Sequence, residues 1–91
     1  MEDFSKRMKI SEFILLREVG EEAVLLNLNT QQYYSLNPSG MRMLQVLNTS
    51  ASMEQALSSL SEEYVVDPVL LRNDLQELLE LLLKHGLIEI V

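Results

Sequence analysis

The 91-residue chain contains no cysteine. Disulfides, thiolate nucleophiles and zinc–sulfur centres are therefore excluded together, and a small chain without disulfides fits a cytoplasmic setting. Its only histidine is His85. This argues against a transition-metal site and leaves the serines without a base to activate them. Its three glycines, Gly20, Gly40 and Gly86, lie too far apart to form a phosphate-cradling loop. No apolar run is long enough for a signal peptide or a membrane span. The leucine-rich stretch near the end is interrupted by Arg72, Asp74, Glu77, Glu80 and Lys84. Basic charge is scarce, with 7 Lys and Arg against 14 Asp and Glu, a net charge of −7. Such a field repels a nucleic-acid backbone and an anionic membrane surface. These absences point away from an enzyme, a cofactor, nucleic acid and a membrane.

What is present suits one small domain. Hydrophobic residues make up 47% and charged residues 23%, a globular balance rather than a disordered one. A chain of this length buries only roughly 60–65% of its unfolded surface, so few core side chains can be given up to a deep cavity. Residues 1–12 are polar and without a clean period. They are predicted to be a flexible N-terminal arm, with Lys6, Arg7 and Lys9 a solvated basic island. Residues 13–91 are expected to form a single domain.

Three short strands open that domain. Phe13–Val19 is β-rich and ends at the turn residues Gly20-Glu21-Glu22. In Ala23–Leu28, Val24, Leu26 and Leu28 share a parity and should face one side. Asn29-Thr30-Gln31 offers a turn, with asparagine tolerant of positive φ. In Gln32–Leu36, Tyr34 and Leu36 share one parity, Tyr33 and Ser35 the other. Tight turns between short strands predict an antiparallel meander.

Three helices follow. Asn37-Pro38 is an N-cap and first-turn proline. Met41, Met43, Leu44, Val46 and Leu47 then give an apolar face up to about Asn48. Ser52-x-x-Gln55 reads as a capping box opening a second helix that ends near Tyr64. Asp67-Pro68 repeats the cap-and-proline device for the longest helix, and Gly86 after His85 closes it. Leu87–Val91 is a short apolar tail able to pack on the sheet. Strands followed by helices predict an α+β layer close to a winged helix-turn-helix.

Two features exceed what such a fold requires. Leu71, Leu75, Leu78 and Leu82 fill a core-facing stripe on the long helix, and Leu70, Leu81 and Leu83 spill outside it. The third strand is the last of the meander, so one edge carries unpaired backbone groups unless the arm or tail covers it. Tyr33 and Tyr34 give that edge large amphipathic side chains, and an extended peptide can add a further strand there. The acidic pairs Glu21-Glu22 and Glu62-Glu63, and Glu77 with Glu80, read as solvated surface rather than catalytic carboxylates. His85 reads as a helix-end residue favoured by the dipole.

The sequence resembles the PqqD-like family, the peptide-recognition elements of ribosomally made, modified peptides. The matching residues run Val24-Leu-Leu-Asn-Leu-Asn-Thr-Gln-Gln-Tyr-Tyr-Ser-Leu-Asn37, then Gly40, Leu57-x-x-Leu60 and Tyr64-x-Val66. Asp74-Leu75 with Leu78-Leu79 and Leu82, and finally Gly86-Leu87-Ile88, complete the pattern. The resemblance implies that the leader part of a precursor peptide adds as a strand antiparallel to the third strand, beside the third helix. It maps peptide binding onto Gln32, Tyr33, Tyr34, Ser35, Leu71, Asp74, Leu75 and Leu78. It also implies a processing enzyme as partner and no cofactor. The recognition half of a split lasso-peptide protease is the preferred reading. A chaperone of the PQQ type for a radical enzyme, a winged-helix regulator and a structural homodimer are the alternatives.

Overall fold

A computed structural model describes residues 4–91. Its elements are β1 (Met8–Ile10), β2 (Ile14–Val19), β3 (Glu22–Asn27), β4 (Tyr33–Leu36), α1 (Pro38–Thr49), α2 (Met53–Glu63), α3 (Pro68–Lys84) and β5 (Ile88–Ile90). The α+β meander-then-helices architecture is the one the sequence predicts. β2, β3 and β4 form an antiparallel sheet in that order, and β1 and β5 form a separate antiparallel pair.

The turns and caps follow local chemistry. Gly20 in the β2–β3 turn has a φ of 64°, a conformation that costs glycine little. In the β3–β4 turn the positive φ belongs to Gln31, not to Asn29. The turn is shaped from within by Asn27, whose Oδ1 accepts the N–H groups of Asn29 (2.9 Å) and Thr30 (3.2 Å). Asn37 Oδ1 accepts the Gly40 N–H at 2.8 Å, and Asp67 Oδ1 accepts the Val69 N–H at 2.8 Å. Ser52 Oγ accepts the Gln55 N–H at 3.1 Å. The return bond of the box lands one residue early, on the Ala51 N–H, which donates to Gln55 Oε1 at 2.8 Å.

The N-terminal segment departs from the loose arm expected over residues 1–12. From Phe4 onward it belongs to the fold; residues 1–3 lie outside the described residues. Phe4 and Met8 are buried in the core. The carbonyls of Lys6 and Phe4 accept the Met53 and Glu54 N–H groups, each at 2.8 Å. These are among the first N–H groups of α2, which no intrahelical carbonyl can satisfy. Arg72 lies over the Phe4 ring at 4.4 Å from its centroid. The periodicity of this segment is hidden because its inward residues, Phe4, Met8, Ile10 and Ser11, follow no regular spacing.

The tail also departs from expectation. It pairs with β1, in the register Met8↔Ile90, Lys9↔Glu89 and Ile10↔Ile88, instead of packing on the meander. Reciprocal bonds between Arg7 and Val91, at 2.8 and 3.2 Å, extend the pair. Arm and tail thus satisfy each other's backbone and leave the meander's edges alone.

Burial divides the strands by parity. Ala23, Leu25 and Asn27 are the buried members of β3, so the shared face of Val24, Leu26 and Leu28 is the outer one. On α3 the buried leucines are Leu71, Leu75, Leu79 and Leu82. Leu78 is half-buried, and Leu70 and Leu81 are exposed. Each buried leucine side chain contributes about 1.5–3 kcal/mol through removal from water. The helix turns its stripe toward α2 and β5, while α1 covers β3 and β4. This arrangement leaves a gap between α3 and the edge of the sheet.

Candidate functional site

Strand pairing decides which backbone groups of β4 are free. The Asn27 N–H donates to the Gln32 carbonyl at 2.8 Å, making Asn27–Gln32 a hydrogen-bonded pair. Bonding alternates along an antiparallel ladder, so Tyr34 and Leu36 also bond to β3. On the other side of β3, the Leu28 N–H donates to the Phe13 carbonyl at 3.0 Å. That fixes the even residues of β3 toward β2 and agrees with the assignment. The N–H and C=O groups of Tyr33 and Ser35 therefore point away from the sheet. Among the described residues no strand pairs with that edge.

Beside the edge lies an open cleft of about 450 Å³. The start of α1 supplies Asn37, Ser39, Gly40 and Met43, and α3 supplies Asp74, Glu77, Leu78 and Leu81. Glycine at position 40 keeps this floor low. An added Cβ there would stand 3.3 Å from Asn37 Oδ1 and 3.4 Å from Leu36 Cβ, pressing on the helix cap and the strand. A smaller hollow of about 120 Å³ continues the cleft along α3. It shares Ser39, Met43 and Asp74 and adds Tyr64, Val66, Leu70 and Leu71. At the opposite end of β4, Gln31, Gln32, Tyr33 and Tyr34 border a further hollow of about 400 Å³.

The residues predicted from sequence meet different fates. Tyr34 and Ser35 lie on the edge strand, Tyr34 half-buried on the helix side and Ser35 exposed. The Tyr34 ring packs against His85 at 4.6 Å between centroids, and its hydroxyl donates to Gln32 Oε1 at 3.3 Å. Tyr33 faces the opposite side of the sheet and is 69% exposed. Asp74 and Leu78 line the cleft. Leu71 reaches only the adjoining hollow, and Leu75 is fully buried in the core. Leu75 supports the cleft from beneath. The i, i+4, i+7 spacing could not separate Leu75 from its neighbours, because cleft wall and core stripe adjoin on one helix.

Sequence reasoning did not assign Asn37, Gly40, Met43, Glu77, Leu81 or His85 to the site. Leu81 had a visible signal as a leucine outside the core stripe. Asn37, Gly40, Met43 and Glu77 are brought in because the start of α1 and one face of α3 wall the same cleft, and His85 because its ring packs on Tyr34.

Chemically the site is built for binding. It combines two outward peptide units, an apolar wall of Met43, Leu78 and Leu81, and the carboxylates of Asp74 and Glu77. Neither carboxylate has a hydrogen bond or ion pair among the described residues. No group of three or more His, Cys, Asp or Glu among the described residues is placed to hold a metal ion. No described helix is long and apolar enough to cross a membrane.

Comparison with known proteins bears on this geometry. Residues 22–88 match the family described as coenzyme PQQ synthesis protein D, PqqD. A solved structure of TbiB1 in complex with the TbiA(beta) leader peptide shares 31% identity and a TM-score of 0.82, over 89% of this chain and 94% of that one. A lasso peptide synthetase B1 complexed with the leader peptide superposes with a TM-score of 0.82 at 22% identity, over 91% of this chain and 98% of that one. At that identity the second likeness speaks for the fold. No curated protein sequence matches the chain. The family match covers the sheet edge, the cleft and the helix beside it, and the chain belongs to the PqqD family.

Proposed function

We propose that this protein is a non-catalytic adaptor. It binds the leader segment of a ribosomally made precursor peptide as an added strand on β4 and delivers the peptide to a processing enzyme. A leader protease of the lasso-peptide type is the preferred partner, in keeping with the leader-bound structures that the chain resembles. The cysteine-free composition suits a cytoplasmic setting.

The observation that carries the reading is the open edge. Tyr33 and Ser35 present free backbone groups beside an apolar cleft, while the segments that would otherwise cover them, arm and tail, are paired with each other. Strand addition supplies hydrogen bonds, and alternate side chains of the peptide reach the wall formed by Met43, Leu78 and Leu81. The site residues proposed are Gln32, Tyr33, Tyr34 and Ser35 on the edge, with Leu71, Asp74 and Leu78 on the helix and Leu75 as their support. A disordered leader loses conformational freedom on docking, so a few apolar anchors must offset that cost. Asp74 and Glu77 favour a basic residue in the bound segment. The adaptor's contribution to catalysis is effective concentration, on the order of millimolar for a short tether.

The test is calorimetry with the full chain and the leader segment of the precursor peptide encoded beside it. Saturable 1:1 binding is expected. Ser35→Pro should abolish it, because proline removes an outward N–H without breaking a bond to β3. Absence of binding by the unaltered protein would reject the adaptor role.

A further inference from the structure

We infer that His85 is a positioning residue for leader binding: its imidazole holds the Tyr34 ring in place at one end of the slot between β4 and α3. This rests on the leader reading above. Among the described residues no hydrogen bond or ion pair runs from α3 to β4. A side-chain contact bridges the two just where α3 ends. There the Tyr34 and His85 rings stand 4.6 Å apart between centroids, tilted by 36°. That separation and tilt suit an attractive ring pair.

The backbone that carries the imidazole is fixed before any peptide arrives. His85 caps α3, its N–H donating to the Leu81 carbonyl at 3.2 Å. The Gly86 N–H donates to the Leu83 carbonyl at 3.1 Å and the Leu87 N–H to the Leu82 carbonyl at 2.9 Å. These two bonds, with Gly86 at a φ of 67°, make a Schellman motif. Leu87 anchors it in the core. The arm grips the same loop: the buried Ser11 donates its hydroxyl to the Gly86 carbonyl at 3.2 Å and its N–H to the Leu87 carbonyl at 3.1 Å. Arm and tail thus set the helix end, the helix end sets the imidazole, and the imidazole sets Tyr34.

Tyr34 needs this support because of where it stands. Its half-buried side chain shares the helix side of the sheet with Leu36. In a strand added antiparallel to β4, the residue opposite Tyr34 turns its side chain to that same side, with Cβ atoms roughly 4.5–5.5 Å apart. Whether that side chain finds room depends on where the Tyr34 ring lies. Gln32 holds the ring by its hydroxyl, at 3.3 Å from Oε1, but Gln32 is exposed and water competes for the bond. The imidazole instead packs on the ring itself, from a place the backbone fixes. A ring already held loses less freedom when the peptide docks, and affinity rises accordingly.

The experiment is calorimetry of full-length variants with the leader segment of the precursor encoded beside the protein. His85→Asn removes the ring, and asparagine is accepted at helix ends, so circular dichroism should show a folded chain. Its leader affinity should fall about threefold to tenfold, the effect of one lost ring pair. His85→Phe keeps a flat ring on Tyr34 and should restore affinity to within about twofold. His85→Asn added to Tyr34→Ala should cost nothing further, because a residue that acts through Tyr34 then has nothing to hold. Lys84→Ala, exposed at the same helix end, should leave affinity unchanged. In the free protein, the Tyr34 ring signals in aromatic NMR should move in His85→Asn and stay shielded in His85→Phe. Unaltered leader affinity in His85→Asn overturns the assignment and leaves the leader reading standing. Equal losses in His85→Asn and His85→Phe overturn it too, as do additive losses in the double variant. Failure of the unaltered protein to bind leader removes the reading on which the inference rests, whereas the NMR comparison still reports whether the ring pair exists.

Discussion

Two leucines one helical turn apart illustrate how burial separates roles at the residue scale. Leu75 is fully buried under the cleft, whereas Leu78 lines it and keeps part of its surface. Leu75→Ala should therefore cost roughly 2–5 kcal/mol in urea unfolding, the range for a large-to-small core change. Any loss of leader affinity in that variant will follow from the disturbed fold. Leu78→Ala should cost under about 1.5 kcal/mol of stability, since less of its side chain leaves water. Its leader affinity by calorimetry should nevertheless fall. Equal stability losses in the two variants would show that the helix presents its faces differently. Tyr34 stands between these cases. It is half-buried and packed on His85, and its backbone bonds inward, so its peptide group serves the sheet while its ring lies beside the edge.

Among the elements, β4 is the one whose two sides differ most in consequence. Proline at 34 would remove an N–H used by β3 and should lower stability, unlike proline at the outward-facing position 35. Circular dichroism melts of the two variants, compared with their leader titrations, separate structural loss from loss of binding. Besides their buried apolar packing, α1 and α2 are linked by an exposed ion pair. Arg42 contacts Glu63 through Nη2 at 2.7 Å, and its hydrogen bonds and charge hold the Glu63 carboxyl below the usual carboxylate range. A carboxylate with a lowered folded-state pKa stabilises the fold above its unfolded pKa and loses that contribution as pH falls through the folded value. The melting-temperature difference between the unaltered protein and Glu63→Gln should thus be greatest at neutral pH and vanish in acid. Solvent exposure keeps the difference small, and added salt should shrink it further.

For the whole molecule the decisive feature is the clasp between its two ends. β1 and β5 pair with each other, Phe4 and Met8 fill the core, and the arm's carbonyls cap α2. Removal of residues 1–12 should therefore lower the melting temperature or prevent folding, although the truncated chain keeps the entire meander and all three helices. A truncated protein that melts at the same temperature as the full chain would show the clasp to be dispensable. The clasp also matters to function, because a tail paired with β1 cannot occupy β4. The molecule thereby keeps the β4 edge open, where small β proteins normally cover or blunt such edges.

Local chemistry determined the elements. Asn37, Ser52 and Asp67 with the prolines at 38 and 68 set the helix starts, Gly86 set the last helix end, and alternating apolar residues set the strands. Each of these signals acts within a few residues, so the chain carries it without reference to its fold. The edge strand and the resemblance of residues 13–90 to peptide-recognition domains were legible for the same reason. Tertiary structure alone decided which parity of β3 is buried, that Leu79 rather than Leu78 completes the core stripe, and that Leu75 supports the cleft instead of lining it. It also decided that residues 4–12 pack. These outcomes depend on which surfaces meet across distances of up to some eighty residues in the chain, as between Met8 and Ile90. No short window of sequence records such a meeting, because hydrophobic burial rewards contact area without specifying which partner supplies it.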